Sequence, residues 1–423
     1  MTRDHPVFSL DHPRLLDSLL RTDKLLIIQD LDGVCMGLVR DPLTRTIERR
    51  YVEAARRLAG SFYVLTNGEH IGSRGVNGII ERALDTPSQA KEQGLYLPGL
   101  AAGGAQQQDH YGKVFHPGVS EAELAFLKAV PGKARQFLGE LLGAPPFGLA
   151  AADIAALVAA SVLDNLASPT LNINSCYQHL HGRPDLYRRL QDACAAFLQR
   201  LLQDAAGANL QHAFFVHFAP NLGSDTQGQE RLRYADVQNA GTTDFQFMLK
   251  GAIKEVGVLV ILNHYYHQRT GRYPLGPDFN ARQAPRDHAA LLRLAREHFD
   301  PAQMPRIVGV GDTVTSSSRQ VDGRAEQLRG GSDRGFLTLV QALGEAFDSD
   351  NRVVYVDSSA GEVARPGIDA AQLQCGELEP WAAAVGISDP ADSLRLDVVF
   401  TGGHSQYVAF FCDLAERYAG GRE

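Results

Sequence analysis

Two aspartates, Asp30 and Asp32, stand two residues apart directly after a short apolar run, Lys24–Gln29. An ordinary aspartate has a pKa of about 3.9, so Asp30 is expected to be ionised at neutral pH. An ionised carboxylate can attack phosphorus and form an acyl phosphate, while a second carboxylate protonates the leaving oxygen and later deprotonates the attacking water. Gly33 allows a sharp turn behind the pair. The alternative is a strand end with two solvated aspartates and a turn glycine.

A second apolar run, Phe62–Leu65, ends in a small polar group: Thr66, Asn67 and Gly68. A hydroxyl together with two backbone N–H groups is typical of a small anion-binding nest, which suits a phosphoryl group. Because Asn-Gly is also a common turn signal, an ordinary strand-end turn is the alternative.

A cationic side chain is needed to offset the charge of such a site, and Lys250 is the candidate that we expect to do so. It lies in the stretch Met248–Ile253, which has the apolar character of a helix start. Lys254 follows four residues later and is the rival, while a surface position at a helix start is the alternative for Lys250.

A carboxylate for a metal ion is expected at Asp312, which follows a third apolar run, Arg306–Val310. Mg²⁺ prefers oxygen ligands and keeps several waters, so Asp312 and Asp30 with few further groups suffice. Asp333, after a pair of glycines, is a further candidate ligand; loop aspartates without a metal are the alternative.

The elements that must position these residues are short runs rich in Ile and Val, which indicate strands buried on both faces. Further runs at 351–356 and 396–400 have the same character, and helical patterns at Glu48–Leu58 and Phe336–Phe347 lie between runs. Strand–helix–strand order predicts a parallel sheet with right-handed crossovers. Ligands of such sheets bind beyond the carboxyl ends of the strands, where Asp30, Thr66 and Asp312 are expected to converge.

The stretch from about residue 70 to about 245 interrupts this rhythm with a Gly-rich segment, several helices and a strand-like run at 212–218. We therefore predict an α/β fold with two parts: a Rossmann-like parallel-sheet core of residues 1–70 and 246–423, and an inserted α+β cap domain of residues 71–245. The cap is expected to enclose the site, with Glu69, His70 and the 217–221 region as candidate substrate contacts; a structural role is the alternative for each of them.

Composition narrows the class of function. The formal charge is −8, from 41 basic and 49 acidic residues, and no long basic run offers a footprint for nucleic acid. No apolar run reaches the roughly 18 residues that a membrane span needs, and the N-terminus does not resemble a signal peptide. Five dispersed cysteines without a CxxC pair fit a reducing cytoplasm.

Taken in order, these segments resemble the haloacid dehalogenase superfamily of phosphatases: DLDGV, VLTNG, LKG and GVGD stand for its four motifs. The resemblance implies that Asp30 is the nucleophile and Asp32 the acid/base, that Thr66 binds phosphate and that Lys250 steadies the charge. It also implies that Asp312, with Asp30 and the backbone carbonyl of Asp32, holds Mg²⁺. A superfamily Asp four residues after the fourth-motif Asp is replaced here by Ser316, which leaves Asp333 or a hydroxyl to complete the site.

The run Asp30–Arg45, with FYVLTNGEH and GVGDTVTSSS, is similar to the glucosylglycerol 3-phosphate phosphatases of salt-tolerant bacteria, which make a compatible solute. That resemblance implies a small sugar-phosphate substrate and functional pairing with the glycosyltransferase that supplies it. Phosphatases of sucrose or trehalose phosphate are close alternatives. A sugar phosphomutase is disfavoured because the cap falls after the second motif, and a non-catalytic sensor because Asp30 and Asp32 are both present.

Overall fold

The computed structural model describes residues 7–225, 228–236, 239–321, 324–375 and 379–420. Its helices are α1 His12–Leu20, α2 Arg49–Arg57, α3 Val76–Ala83, α4 Ser88–Glu92, α5 Glu121–Gly143, α6 Ala151–Ser161, α7 Asn174–His179, α8 Pro184–Gly207, α9 Lys254–Thr270, α10 His288–His298, α11 Arg334–Phe347, α12 Ala370–Cys375 and α13 Gly403–Gly420. Its strands are β1 Leu25–Gln29, β2 Phe62–Leu65, β3 Gly99–Ala101, β4 Gln106–Gln108, β5 Val114–Phe115, β6 Val162–Leu163, β7 Thr170–Asn172, β8 Phe214–Ala219, β9 Asn221–Ser224, β10 Glu230–Leu232, β11 Asp244–Leu249, β12 Arg306–Gly311, β13 Thr315–Val321, β14 Arg324–Gly330, β15 Arg352–Val356 and β16 Val398–Phe400.

The core is an eight-stranded sheet in the order β16-β15-β12-β1-β2-β3-β4-β5. The strands from β16 to β3 run parallel, and β4 and β5 add an antiparallel edge. β1 lies between β12 and β2, with Gln29 opposite both Val310 and Val64. Every residue of β1 and β2 is buried, which explains why the two strands are apolar apart from Gln29, whose side chain accepts from the Tyr407 hydroxyl. The predicted α/β fold with a parallel-sheet core is confirmed.

Two apolar clusters cover the two faces of this sheet. One includes α2 and α13 residues such as Tyr51 and Phe411. The other includes α9 and α11 residues such as Leu259 and Phe336. Helices on both faces make β1 a fully enclosed strand, so the groups that follow it are held on a rigid support.

The cap has its own core and its own sheet. A four-stranded sheet in the order β6-β7-β11-β8 packs with α5 and α8 around a third apolar cluster, which includes Leu127, Leu190 and Phe245. α5 begins with a capping box between Ser120 and Glu123, which satisfies the backbone N–H groups of these two residues.

The predicted cap boundaries, 71 and 245, are wrong on both sides. α3 packs into the core through Ile79 and Ile80, and β3 to β5 extend the core sheet, whereas β11 belongs to the cap sheet. Gly99 explains the first error: its φ is +136°, and a Cβ there would lie 2.2 Å from the carbonyl oxygen of Val64. The glycine permits close pairing of β3 with β2, and so this Gly-rich segment is a strand edge of the core.

A hairpin formed by β13 and β14 leaves the core after Asp312 and reaches β9 of the cap, where the Thr315 hydroxyl donates to the Asn221 carbonyl oxygen at 2.7 Å. Within the described ranges, no helix combines the length and apolar character required to cross a bilayer.

Candidate active site

The carboxyl ends of three neighbouring strands meet in one cleft of about 920 Å³, counting the space open to solvent. Asp30 follows β1, Thr66 follows β2 and Asp312 follows β12, and all three line the cleft. The cap sheet covers the opposite side. The convergence predicted from the strand order is therefore present.

Asp30 is buried and its carboxylate is fixed by two donors. Leu31 N donates to Oδ1 at 2.8 Å, and Lys254 Nζ lies 2.7 Å from Oδ2. Burial raises the pKa of Asp30 to about 7, Lys254 acts to lower the pKa and Asp333 acts to raise it. A nearby cation is therefore what keeps this buried carboxylate available in its charged form.

The lysine that lies in the site is Lys254. The prediction that placed Lys250 there is wrong. β11 ends at Leu249, and the exposed Lys250 stays at the edge of the cap sheet, where its N–H donates to the Ala213 carbonyl oxygen at 2.7 Å. The helix α9 begins at Lys254, which is 3% exposed. Because Lys250 lies in the turn before the helix, helical phase does not bring it to the cleft.

Three carboxylates, from Asp30, Asp312 and Asp333, place oxygen atoms within 4.8 Å of one another. Asp333 is fully buried: Oδ1 accepts from Lys254 Nζ at 2.7 Å, and Oδ2 accepts from Asp312 N at 2.9 Å. Thr313 hydroxyl donates to Asp312 Oδ1 at 2.9 Å. Sequence reasoning named Asp333, and the structure places it in this cluster.

The cluster fits a divalent cation. Asp312 Oδ2 is buried without a hydrogen-bond partner in the described part of the chain. Burial, with Asp333 and Asp30 next in order, raises the pKa of Asp312 well above its usual range. Three carboxylates against the single ammonium of Lys254 leave excess negative charge in a buried site, and hard oxygen ligands of this kind suit Mg²⁺.

Gly33 is required where the chain turns past this cluster. Its φ is +80°, and a Cβ at this position would lie 2.1 Å from Asp312 Oδ2. A side chain would therefore displace the carboxylate whose free oxygen faces the cluster.

Asp32 is half-buried and pairs with Arg45 across 2.9 Å. The second Arg45 nitrogen donates to the backbone carbonyl oxygen of Arg74. Sequence reasoning did not give Arg45 a role, because its partner lies 13 residues earlier across an irregular loop. Its place in the run Asp30–Arg45 is the signal that was available.

The phosphate nest predicted after β2 lines the cleft with Thr66, Asn67 and Gly68. Gly68 N donates to the Thr66 hydroxyl at 3.2 Å, which fixes the tight turn. Ser168 of the cap donates its hydroxyl to the Asn67 carbonyl oxygen at 3.2 Å. The nest is thus in contact with the cap.

Glu69 lines the cleft, but its carboxylate is occupied by the cap. Leu166 N, Ala167 N and Ser168 N donate to it at 2.9, 2.5 and 2.8 Å. Burial raises the pKa of Glu69, and these backbone donors act to lower it. Three consecutive N–H groups on one carboxylate form a clamp between core and cap, and this geometry argues against the predicted substrate contact for Glu69.

His70 is fully buried and is absent from the residues that line the cleft, which argues against its predicted substrate contact. Nε2 lies 3.3 Å from the Gly99 carbonyl oxygen and Nδ1 lies 3.3 Å from Gln108 Nε2. These partners suit a neutral ring that donates from Nε2, and burial lowers the pKa of His70 to about 4.

Polar side chains on the cap face the cleft and were missed from the sequence. They are Asn165, Thr170, Asn172, Asn174, Asp244 and Gln246. β11 carries the signal that could have shown this, because Asp244 and Gln246 alternate with the fully buried Phe245 and Phe247. The apolar face supports the cap core, and the polar face meets the site.

Arg365 was also missed. It lines the cleft from the loop after β15, and its charge acts to lower the pKa of Asp312 and of Asp244, which are otherwise raised by burial. A loop arginine without a strand or helix pattern around it gives no signal in the sequence.

Of the 217–221 region, Ala219 lines the cleft, whereas His217 and Asn221 do not. His217 pairs with Glu230 at 2.7 Å, and Asn221 accepts from the β13 hairpin, so both residues have structural partners. Ser316, the position at which the superfamily pattern has an Asp, donates its hydroxyl to Asp389 and accepts from Arg329 at 3.0 Å.

A buried aspartate at a strand end, a paired lysine and a carboxylate cluster define an α/β site built for phosphoryl chemistry. The glucosylglycerol-phosphate phosphatase family model matches residues 24–415, and the chain belongs to that family. A glucosylglycerol-phosphate phosphatase from Synechocystis sp. (strain ATCC 27184 / PCC 6803 / Kazusa) is 51% identical over 410 residues, which cover 97% of each chain. The family recognised from the motifs is therefore confirmed.

Solved structures with a similar chain course include the C-terminal domain of Candida albicans trehalose-6-phosphate phosphatase. It is 10% identical, with a TM-score of 0.48, and the match covers 98% of this chain and 99% of that one. An Aspergillus fumigatus trehalose-6-phosphate phosphatase is 11% identical, with a TM-score of 0.39, and the match covers 97% of this chain and 99% of that one.

Proposed function

We propose that this protein is a Mg²⁺-dependent phosphomonoester hydrolase that converts glucosylglycerol 3-phosphate to glucosylglycerol. The observation that carries the proposal is the pairing of a buried strand-end carboxylate, Asp30, with Lys254 and the neighbouring carboxylates in a cleft covered by a polar cap. Membership of the glucosylglycerol-phosphate phosphatase family supports the substrate.

In the proposed first step, an Asp30 oxygen forms a bond to phosphorus while the bond from phosphorus to the leaving oxygen breaks. Asp32 gives a proton to that oxygen, and the released product is the free polyol. Thr66 hydroxyl and the N–H groups of the nest hold phosphoryl oxygens. Lys254 keeps Asp30 charged until attack and offsets the charge that develops.

In the second step, Asp32 takes a proton from water, the water oxygen attacks phosphorus, and the bond to Asp30 breaks. The products are inorganic phosphate and the restored carboxylate. Mg²⁺ held by Asp30, Asp312, Asp333 and the backbone carbonyl of Asp32 would supply positive charge that stabilises the transferring phosphoryl group. Arg45 orients Asp32 in both steps through the pair described above.

The cap supplies the features that a sugar needs. Asn174 Oδ1 and Gln246 Oε1 are buried and lack hydrogen-bond partners among the described residues, and both side chains line the cleft. Such acceptors cost free energy unless a donor reaches them, and sugar hydroxyls are suitable donors. This supports a polyol leaving group rather than an apolar one.

The proposal places the protein in the cytoplasm, in the synthesis of a compatible solute under salt stress. A glycosyltransferase that joins a sugar to glycerol 3-phosphate is the kind of enzyme that would supply the substrate. The free cysteines are consistent with a reducing compartment, since Cys35, Cys176 and Cys194 are buried thiols.

The experiment is phosphate release in Mg²⁺ across glucosylglycerol 3-phosphate, sucrose phosphate, trehalose phosphate and hexose phosphates. We expect strong preference for the first and no turnover by Asp30→Asn. Activity on another member alone would keep the mechanism and reject the substrate. Phosphate release by Asp30→Asn at the wild-type rate would reject Asp30 as nucleophile, and an isomeric sugar phosphate without free phosphate would indicate a mutase.

A further inference from the structure

Among the described residues, four cationic side chains line the cleft: Lys254, Arg45, Arg74 and Arg365. Three of them are neutralised by carboxylates. Lys254 pairs with Asp30 and Asp333, Arg45 pairs with Asp32, and Arg74 pairs with Asp164. The fourth differs, since no ion pair or hydrogen bond joins the Arg365 side chain to another described residue.

Arg365 is also partly desolvated. Its Nε is buried and has no hydrogen-bond partner in the described part of the protein. A guanidinium in this condition gives up hydration without a replacement, unless an anion or another acceptor enters the cleft. The guanidinium of Arg365 is therefore available to bind an anionic ligand.

The loop that carries Arg365 is held in place from several sides. Asp357 accepts Ser359 N at 2.9 Å and Ile368 N at 2.7 Å, which closes the loop on itself. Glu362 N donates to the Leu38 carbonyl oxygen at 2.8 Å on the core side. Such anchoring limits the conformational entropy that binding would otherwise cost.

A link to the cap stands next to the arginine itself. Ala240 N of the cap donates to the Ala364 carbonyl oxygen at 3.4 Å. Arg365 thus follows the residue that joins its loop to the cap, and its charge acts both on Asp312 of the core and on Asp244 of the cap.

The ligand that fits is a phosphoryl group. A phosphomonoester brings up to two negative charges into a cleft that already contains Asp30, Asp32 and Asp312, and the charge of Lys254 is shared between two carboxylates. A guanidinium offers a fork of N–H donors that matches two phosphate oxygens. We propose that Arg365 binds a phosphoryl oxygen of the substrate, as a second cationic phosphate ligand beside Lys254.

The proposal rests on the proposed function, in that the cleft must accept a phosphomonoester. The test uses Arg365→Gln and Arg365→Lys, with Arg40→Gln as control. Arg40 is an exposed arginine that pairs with Glu362 of the same loop and does not line the cleft. Measurements are KM and kcat for glucosylglycerol 3-phosphate and for para-nitrophenyl phosphate, the inhibition constant of inorganic phosphate, and the melting temperature.

Arg365→Gln is expected to raise both KM values and the inhibition constant of inorganic phosphate by about 10- to 100-fold, the range of a hydrogen bond to a charged group. Arg365→Lys should recover part of the loss, and Arg40→Gln should match the wild type. An unchanged inhibition constant for inorganic phosphate would overturn the proposal. So would a rise in KM confined to the sugar substrate, because Arg365 would then bind the leaving group.

The two proposals fail in different ways. If the wild type does not hydrolyse glucosylglycerol 3-phosphate, the substrate proposal fails, while inorganic phosphate and para-nitrophenyl phosphate still test Arg365. If Arg365→Gln lowers the melting temperature so far that it cannot be assayed, Arg365→Lys decides. A wild-type phosphate affinity in that variant, with its altered donor geometry, would reject the predicted contact.

Discussion

Lys254 Nζ lies 2.7 Å from Asp30 Oδ2 and 2.7 Å from Asp333 Oδ1, so a single ammonium joins the candidate nucleophile to the innermost carboxylate of the cluster. A buried lysine at the start of a helix opposes the helix dipole, and two carboxylates offset that cost. Their charges raise the pKa of Lys254, although burial alone would lower it. The lysine is held charged at the place where phosphoryl transfer needs a cation.

We predict that Lys254→Ala lowers kcat by about 100- to 1,000-fold, the range observed when a transition-state donor is removed. Lys250→Ala is the matched control and should stay within about twofold of wild type, because Lys250 is exposed outside the cleft. Steady-state phosphate release measures both, with circular dichroism to confirm folding. The reverse order of effects would return the role to Lys250.

We predict that the Mg²⁺ dependence of activity changes when Asp333 is replaced. Chelation is expected to stop phosphate release and Mg²⁺ to restore it. Asp333→Asn should raise the Mg²⁺ concentration for half-maximal activity by at least about 10-fold. Ser316→Ala is the control, since its hydroxyl is bound to Asp389 and Arg329. Activity that survives the chelator unchanged would contradict the metal assignment.

The Glu69 clamp should contribute to stability. Glu69→Gln places an amide donor among the N–H groups of residues 166–168 and is expected to lower the free energy of unfolding by about 1–3 kcal/mol. Urea denaturation measures the change, with hydrogen exchange at 166–168 as a local readout. Glu53→Gln, in an exposed pair with Arg49, should change little. If Glu69→Gln is as stable as the wild type, the clamp does not contribute to the free energy of unfolding.

His70 predicts a pH dependence of stability. Its folded pKa is about 4 and its ordinary value is 6.5, so between these values the unfolded chain binds more protons. The folded state should therefore lose stability as the pH falls through this window, by about 2 kcal/mol between pH 7.5 and 5. Urea titrations of the wild type and of His70→Gln at several pH values measure how the free energy of unfolding changes with pH.

The His70→Gln variant should lack this part of the slope, while replacement of the exposed His212 should leave it intact. Equal slopes in wild type and His70→Gln would show that His70 does not titrate as its buried position implies.

Much of the core could be predicted because its strands are buried on both faces and carry an unbroken apolar signal. β1, β2 and β12 have such signals, and the polar groups after them, Asp30, Thr66 and Asp312, meet as expected. Their chemical roles stay predictions. The sequence pattern could not decide between Lys250 and Lys254, because the decision depends on where a turn ends and α9 begins.

The cap boundary failed for a related reason. β3 is three residues long and begins with a glycine that lies against β2, so neither length nor apolar character marks it as part of the core sheet. Arg45 binds Asp32 and the Arg74 carbonyl oxygen across loops, and Arg365 reaches the cleft from a loop. Loops carry few periodic constraints, so their residues become visible as site residues when the chain is folded.

The carboxylate that completes the cluster comes from Asp333, 21 residues after Asp312, with a whole hairpin between them. At position 316 the chain has a serine, and its hydroxyl is hydrogen-bonded to Asp389. A motif search that demands a short fixed spacing between the two acids would discard this protein, although its three carboxylates lie together in space. The cluster is defined by the short distances between its oxygen atoms and not by the spacing of its aspartates along the chain.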